Sequence, residues 1–387
     1  MIPPGSTIGL LGGGQLARMT ALAARPLGYH VHLFDPHSEP PAGAVCERVF
    51  RAPFDDGAAL EEFARSVDVA TLEFENIPVE ALERIERHVP VRPRGAVLHL
   101  TQHREREKIF LRDHGFPCAP FRVVKSPAEL TAALAEIGPR GILKTAEFGY
   151  DGKGQRKIES GEDPMAAWRD WSGDADDFKP RRGVLEAWID FEAELSVVCA
   201  RRPGGEIVTF PVSENQHEDH ILAISIAPGR FAPEVHREAE KLARAIAEVL
   251  QVEGLLAVEL FLTRTGTLLV NELAPRPHNS GHYTIDACVT SQFEQHARAV
   301  CDLPLGATRQ HSPAVMINLL GDLWPEPERE PDWSPILRAP SAKLHLYGKR
   351  IAKPGRKMGH ATFLAETVET AMRLATTTRA ALCARAS

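Results

Sequence analysis

The stretch TIGLLGGGQLARM, residues 7–19, runs from an apolar segment through three consecutive glycines into a helical repeat. Leu16, Met19, Ala23 and Leu27 fall on one helix face, so residues 7–11 are expected as a strand and the segment after Gly14 as a helix. A second strand is expected over 29–34, ending at Asp35-Pro36, and a third over 67–74 after a helical stretch at 57–66. Strands alternating with helices predict a parallel sheet covered on both faces, placed here at residues 1–100.

Working outward, the charged segment 101–114 ends at Gly115, with Pro117 and Pro120 behind it, and reads as a connecting helix. A small α+β unit follows within residues 101–190: strand 121–124, helix 127–137, strand 141–144, a glycine-rich loop, and an acidic stretch 161–183 expected as a surface loop around a short helix. From Val184 the pattern is strand-rich. Val235, Ala239, Leu242, Ile246 and Leu250 mark one face of a helix over 233–251, and strands are expected over 255–263 and 267–273 within a third unit, 191–387. The chain is thus expected to be an α/β protein of three units, the middle one small.

Composition narrows the partners. The 387 residues carry 45 basic and 52 acidic side chains, a net −7, with no run of five Lys/Arg, so neither nucleic acid nor a membrane surface is expected. No apolar run reaches the length of a membrane span. Cys46, Cys118, Cys199, Cys288, Cys301 and Cys383 form no CxxC pair, which predicts free thiols in the cytoplasm and small-molecule partners.

Three features carry chemistry. Gly12-Gly13-Gly14-Gln15-Leu16-Ala17 satisfies GxGxxA, with Asp35 at the end of the next strand, which admits a nicotinamide dinucleotide, another phosphorylated ligand, or a tight structural turn. Lys144 precedes GYDGKGQ, residues 149–155, a loop able to cover phosphates with Lys144 and Lys153 as point charges; a plain hairpin turn is the alternative. Thr265-Gly266 is expected as a two-residue turn that sets Glu259 opposite Glu272. Two such charges about 5 Å apart repel by roughly 3 kcal/mol at an effective dielectric near 20. A hard divalent cation offsets this, with a shared proton or a screened exposed face as alternatives; Leu260, Phe261, Leu269 and Val270 favour burial. Cation, phosphate-covering loop and anion site together describe a nucleoside triphosphate enzyme.

On GGGQLARM (12–19), TLEFENIP (71–78), GYDGKGQ, NELAPRPHNSGHYT (271–284), SQFEQH (291–296) and KPGRKMGH (353–360), the chain resembles the ATP-grasp enzymes, and among them the N5-carboxyaminoimidazole ribonucleotide synthetase family of purine biosynthesis. The resemblance implies an ATP-grasp architecture with a Rossmann-like N-terminal domain, a small α+β lid and a C-terminal α+β domain. It implies a homodimeric ligase that activates bicarbonate with ATP as carboxyphosphate and transfers the carboxyl group to 5-aminoimidazole ribonucleotide, using magnesium, with manganese as a substitute. It assigns Arg104, Lys144, the loop Gly149, Tyr150, Asp151, Gly152, Lys153, Gly154 and Gln155, the stretch Glu186, Ala187, Trp188 and Ile189, and Glu194, His217, Asn271 and Glu272 to ATP. Glu259 and Glu272 take the metal. The ribonucleotide falls to Gln15, Leu16, Glu73, Glu75, Arg276, His278, Asn279, Lys349 and Arg356, with Tyr150, Arg276 and His278 at the reacting centre. Where many ATP-grasp relatives carry Asn two residues after the second Glu, this chain has Ala274, with Asn271 or Asn279 as replacements. The rival within the superfamily is the formate-dependent ligase acting on glycinamide ribonucleotide; biotin carboxylase is longer. From another class, an NAD-dependent oxidoreductase accounts for the first loop and Asp35, but leaves Glu259, Glu272 and the second loop without a role.

Overall fold

The computed structural model describes residues 1–147, 154–172 and 182–386. Strands β1 (Thr7–Leu11), β2 (His30–Phe34), β3 (Arg48–Phe50) and β4 (Val69–Leu72) form a parallel sheet in the order β3-β2-β1-β4. Ile8 and Leu10 pack toward helix Gln15–Ala24, and Leu11 toward the cluster around Phe63, so both faces are covered as the alternation predicts. Gly9 is required for that close approach, because a Cβ there would lie 2.6 Å from the Phe63 ring. β3 was not expected, being too short to show a period. β4 stops at Leu72, two residues before the expected end, which releases Glu73 and Phe74 from the sheet.

The second sheet is antiparallel: β5 (Phe121–Val124), β6 (Gly141–Thr145), β7 (Gln155–Ile158) and β8 (Gly183–Ala187), in the order β5-β8-β6-β7. Helices Pro127–Ile137 and Pro164–Ser172 cover it through Leu130, Leu134 and Trp171. The third sheet holds β9 (Phe191–Arg201), β10 (Ile207–Thr209), β11 (Ser213–Glu218), β12 (Ile221–Ala227), β13 (Gly254–Thr263), β14 (Leu268–Ala274), β15 (Ala314–Leu320), β16 (Ala342–Leu346) and β17 (Lys357–Leu364). Its order is β14-β13-β9-β11-β12-β15-β17-β16, with β10 paired to β9. Helix Pro233–Leu250 packs on one face through Ala239, Ala243 and Ile246. On the other face, helix Gln292–Val300 also meets the first sheet's core through Ala297 and Val300. Among the described residues, no helix is long and apolar enough to cross a membrane.

The hairpin β13–β14 departs from the expected turn in an informative way. Thr263 N–H donates to Thr267 O at 2.9 Å, so the loop is the three residues Arg264-Thr265-Gly266 rather than Thr265-Gly266 alone. Two-residue hairpin turns of type I′ need a positive φ at both loop positions, which β-branched Thr265 resists; the longer loop confines positive φ to Gly266, at +81°. Leu260 then pairs with Val270, while Glu259 pairs with Glu272, which makes Asn271 a bulge. The bulge reverses side-chain parity. Leu268 and Val270 point into the core under helix Pro233–Leu250, as does Leu273, whereas Glu272 is turned to the opposite face beside Glu259.

Candidate active site

The site is built where the ends of the three sheets meet. Helix Arg104–Asp113 is capped by His103 and aims Arg104 and Lys108, four residues apart, at β8. Glu186 on β8 receives Lys144 Nζ at 3.1 Å, Lys108 Nζ at 3.2 Å and the Arg104 guanidinium at 3.6 Å. Arg104 also reaches Glu272 at 3.4 Å. Burial alone would raise the Glu186 carboxyl, yet Lys108, Lys144 and Arg104 hold it down to about 2. Burial pushes Lys144 down to about 8, against the pull of Glu186. Lys108 additionally donates to Asn271 O at 2.9 Å, and Glu107 accepts from Leu273 N–H at 3.0 Å, so this helix fixes the backbone of β14. Neither Lys108 nor Glu107 was singled out from sequence. The signal was the run Arg104-Glu105-Arg106-Glu107-Lys108, whose first and last residues share a helix face.

Of the remaining nucleotide-side residues, Ala187 N–H and Trp188 N–H are given to Pro120 O (2.8 Å) and Arg140 O (3.1 Å), so neither of these two N–H groups is left for a ligand. His217 pairs with Glu194 across β11 and β9; burial opposes its charge, but Glu194 raises it above the ordinary value. Gly149, Tyr150, Asp151, Gly152 and Lys153 lie outside the described residues. Gly154 and Gln155 close the β6–β7 hairpin, with Gly154 O accepting from Thr145 N–H at 2.8 Å and Gln155 opposite Lys144.

Glu259 and Glu272 are register partners on one face, as the hairpin argument requires. Glu259 is 17% exposed and Glu272 42%, so the pair lines a cleft instead of a sealed core. Glu259 binds His278 Nε2 at 2.9 Å, and His278 Nδ1 meets Ser280 Oγ at 2.8 Å. Burial works against the Glu259 charge, but His278, His217 and Arg276 hold the carboxyl down to about 2. Ala274 packs opposite Ala257 and offers no ligand. Asn271 Oδ1 and both amide atoms of Asn279 are buried with no hydrogen-bond partner among the described residues. Among the described residues, no three His, Cys, Asp or Glu side chains form a cage. Two carboxylates with orphaned amide oxygens nearby are a hard oxygen set, and magnesium is held by one or two carboxylates together with substrate phosphates rather than by an all-protein cage. The residues present therefore fit a magnesium ion.

The first domain contributes carboxylates. Glu73, released by the early end of β4, accepts from Gly14 N–H at 2.9 Å and Ala17 N–H at 3.4 Å at the start of helix Gln15–Ala24. Asp35 accepts from Gly13 N–H at 2.6 Å and from His37 N–H at 2.7 Å, and is buried. The groups a dinucleotide pyrophosphate and ribose would use are filled from within, and the nicotinamide reading of GxGxxA is set aside on that ground. Glu75 pairs with Arg276 Nε at 2.7 Å. Lys349 donates to Lys357 O at 2.6 Å; burial and then Arg356 push it down to about 8, with Glu73 acting the other way. Arg356 donates to Ile351 O at 2.6 Å. Leu16 is buried against Phe293 and Tyr347, and Gln15 opens the helix. Glu73, Glu75, Arg276, Lys349 and Arg356 thus gather charge of both signs at one end of the cleft, opposite the Arg104–Lys144 end.

A cation cluster on a lid sheet, an opposed carboxylate pair and a separate anion end define an ATP-grasp enzyme. Residues 109–293 match the ATP-grasp domain, 5–102 the ribonucleotide synthetase preATP-grasp domain, and 314–373 the phosphoribosylaminoimidazole carboxylase C-terminal domain. The chain is 45% identical to the N5-carboxyaminoimidazole ribonucleotide synthase of Bacillus subtilis over 94% of its length and 93% of that protein's. It also matches a bifunctional purine synthesis protein of Dictyostelium discoideum at 44% identity, spanning 37% of that longer chain. A solved N5-carboxyaminoimidazole ribonucleotide synthetase in complex with ADP superposes with a TM-score of 0.90 at 42% identity, covering 98% of this chain and 97% of that one. A second, from Aspergillus clavatus with ADP and 5-aminoimidazole ribonucleotide, gives 0.87 at 30% identity, covering 97% and 98%. The chain belongs to the N5-carboxyaminoimidazole ribonucleotide synthetase family.

Proposed function

We propose that this chain carboxylates 5-aminoimidazole ribonucleotide on its 5-amino group with ATP and bicarbonate, giving N5-carboxyaminoimidazole ribonucleotide, ADP and phosphate. The observation that carries the reading is the Glu259–Glu272 pair, bracketed by the Arg104–Lys144 cations on one side and by Arg276, Lys349 and Arg356 on the other. A bicarbonate oxygen attacks the γ-phosphorus and ADP leaves; the amine nitrogen then attacks the carboxyl carbon of carboxyphosphate, phosphate departs with the C–O electrons, and the amine loses a proton. Arg104 and Lys144 hold phosphoryl oxygens in line, and the family resemblance assigns residues 149–155 to the same phosphates. Glu186 to Ile189 border the adenine, with Glu194 and His217 on the ribose. Glu259 and Glu272, with Asn271 or Asn279, would hold a magnesium ion, or manganese in its place, which would supply charge neutralisation on the phosphates. Arg276, His278 and Asn279, with Gln15, Leu16, Glu73, Glu75, Tyr150, Lys349 and Arg356, bind the ribonucleotide; a guanidinium suits its phosphate bidentately. The family resemblance and the free thiols support a cytoplasmic homodimer.

The test is phosphate release from Mg·ATP with each acceptor supplied in turn. Turnover is expected only with 5-aminoimidazole ribonucleotide plus bicarbonate, and turnover with formate and glycinamide ribonucleotide instead would overturn the reading.

A further inference from the structure

In the block SQFEQH, Phe293 packs under Leu16, while Gln292 and Gln295 make buried contacts outside the site described above. Helix Gln292–Val300 starts inside the block, with Ser291 Oγ accepting from Glu294 N–H at 3.1 Å as the cap. Gln292, fully buried, grips the backbone of His278 at both ends: its Oε1 accepts from His278 N–H at 2.9 Å, and its Nε2 donates to His278 O at 2.7 Å. A backbone N–H can only donate and a carbonyl can only accept, so the two contacts fix the orientation of the amide. The second Nε2 hydrogen then faces His282 Nδ1 at 3.0 Å, which makes that nitrogen an acceptor and puts the His282 proton on Nε2. The grip is closed from behind, because Gln292 N–H donates to Thr284 Oγ1 at 2.9 Å and a Cβ on Gly281 would lie 2.7 Å from Gln292 Oε1.

His278 is the residue that reaches Glu259. Its loop begins at Pro277, has no strand to hold it, and leaves Asn279 side-chain atoms unpaired among the described residues. Ser280 Oγ holds the ring at Nδ1 (2.8 Å) and Gly281 N–H also donates to His278 O (3.0 Å), while Gln292 is the contact from outside the loop that fixes both backbone groups of His278 under the carboxylate pair. We propose that Gln292 is a positioning residue for the carboxylation, holding His278 against Glu259 without touching substrate. This rests on the reading of His278 as a site residue under the proposed function.

Gln295, three residues along the same helix, provides an internal control. It makes the same two-ended grip on Gly306, accepting from Gly306 N–H at 2.8 Å and donating to Gly306 O at 2.9 Å, and it is equally buried. Gly306 takes no part in the site. Gln292→Met and Gln295→Met therefore each remove a two-ended backbone grip, the first also the contact to His282 Nδ1, and only the first loosens His278.

The experiment measures kcat and KM for both variants in the full-length protein, with thermal melting as the check on folding. Gln292→Met is expected to lose about 10–100-fold in kcat with the KM for Mg·ATP held within about twofold, and Gln295→Met to stay within about threefold of the parent in kcat at a comparable loss of melting temperature. Gln292→Leu can bond to neither His278 N–H nor His278 O. It carries the same comparison if the methionine variant does not fold. Equal losses from Gln292 and Gln295 variants, or full kcat in the Gln292 variants, overturn the proposal. A His278→Ala variant separates the two levels: if it retains full turnover, the site reading of His278 has failed, and if it is inactive while Gln292 variants are not, the positioning role alone has failed.

Discussion

Glu272 and Lys144 are buried unequally, and that difference divides their roles. Glu272 is 42% exposed and, among the described residues, its one ion pair, to Arg104, spans 3.4 Å, so it contributes little to stability. Glu272→Gln is expected to abolish measurable turnover while moving the melting temperature by no more than a degree or so, about 0.5 kcal/mol; retained activity at limiting magnesium would refute a metal role. Lys144 is driven to about 8 by burial, so in the free enzyme its ammonium is lost as the pH rises past that value. kcat/KM for ATP is expected to fall above pH 8, because that ratio reports the free enzyme and the phosphates need the charged form. A Lys144→Arg variant, which stays charged, should remove this alkaline limb in a pH–rate profile. Stability moves the other way: the unfolded chain holds the Lys144 proton up to its ordinary value near 10.5, so unfolding becomes harder as pH rises from 8 toward that value.

At the scale of elements, one residue decides which face of β14 is functional. The Asn271 bulge turns Glu272 out of the parity of Leu268 and Val270 and into line with Glu259. Deleting Asn271 removes the bulge and sets Glu272 directly after Val270, on the face away from helix Pro233–Leu250 and still across from Glu259, so this variant should keep its fold and its carboxylate pair; a collapse of melting temperature would show that the bulge itself is needed. Deleting Arg264 removes an exposed pair with Asp190 and forces Thr265-Gly266 into the two-residue turn that Thr265 resists, but it leaves the strand pairings of the hairpin in register, so that variant should keep turnover at a lower melting temperature; its inactivity would show that the loop, not the bulge, sets the pair. The same hairpin measures how far sequence reasoning reached. The opposition of Glu259 and Glu272 was legible, but through a turn one residue too short, offset in the numbering by a bulge that no local pattern announced. β1, helix Pro127–Ile137 and helix Pro233–Leu250 were legible because each repeats its own period. Lys108 and Gln292 were not, because their partners, Glu186 and His278, come from other elements, and periodicity is blind to pairing across the fold.

Across the whole molecule, the net −7 averages over a cleft in which Arg104, Lys108, Lys144, Arg276, Lys349 and Arg356 collect from separate elements. The sheets are held together partly by buried neutral imidazoles. His296, on helix Gln292–Val300, meets Thr71 Oγ1 of β4 at 2.9 Å, and burial pushes it down to about 3. Its folded value lies below its unfolded one, so between pH 6.5 and 3 the unfolded chain binds the extra proton and stability falls as pH falls. His282 and His360, also held well below the ordinary value by burial, act in the same direction. Melting temperature should drop steadily below pH 6.5, and His296→Gln should flatten part of that slope; an unchanged slope would place the acid sensitivity elsewhere. The first glycine loop carries a consequence of a different kind. Glu73 reaches the end of helix Gln15–Ala24 as a tethered guest, delivered by the chain as β4 ends. Its effective concentration there is set by covalent connection and does not depend on the supply of any dissolved ligand. A free dinucleotide arriving at this helix would compete against a resident that never diffuses away, so the loop keeps the outline of a cofactor site while its occupancy is decided at folding.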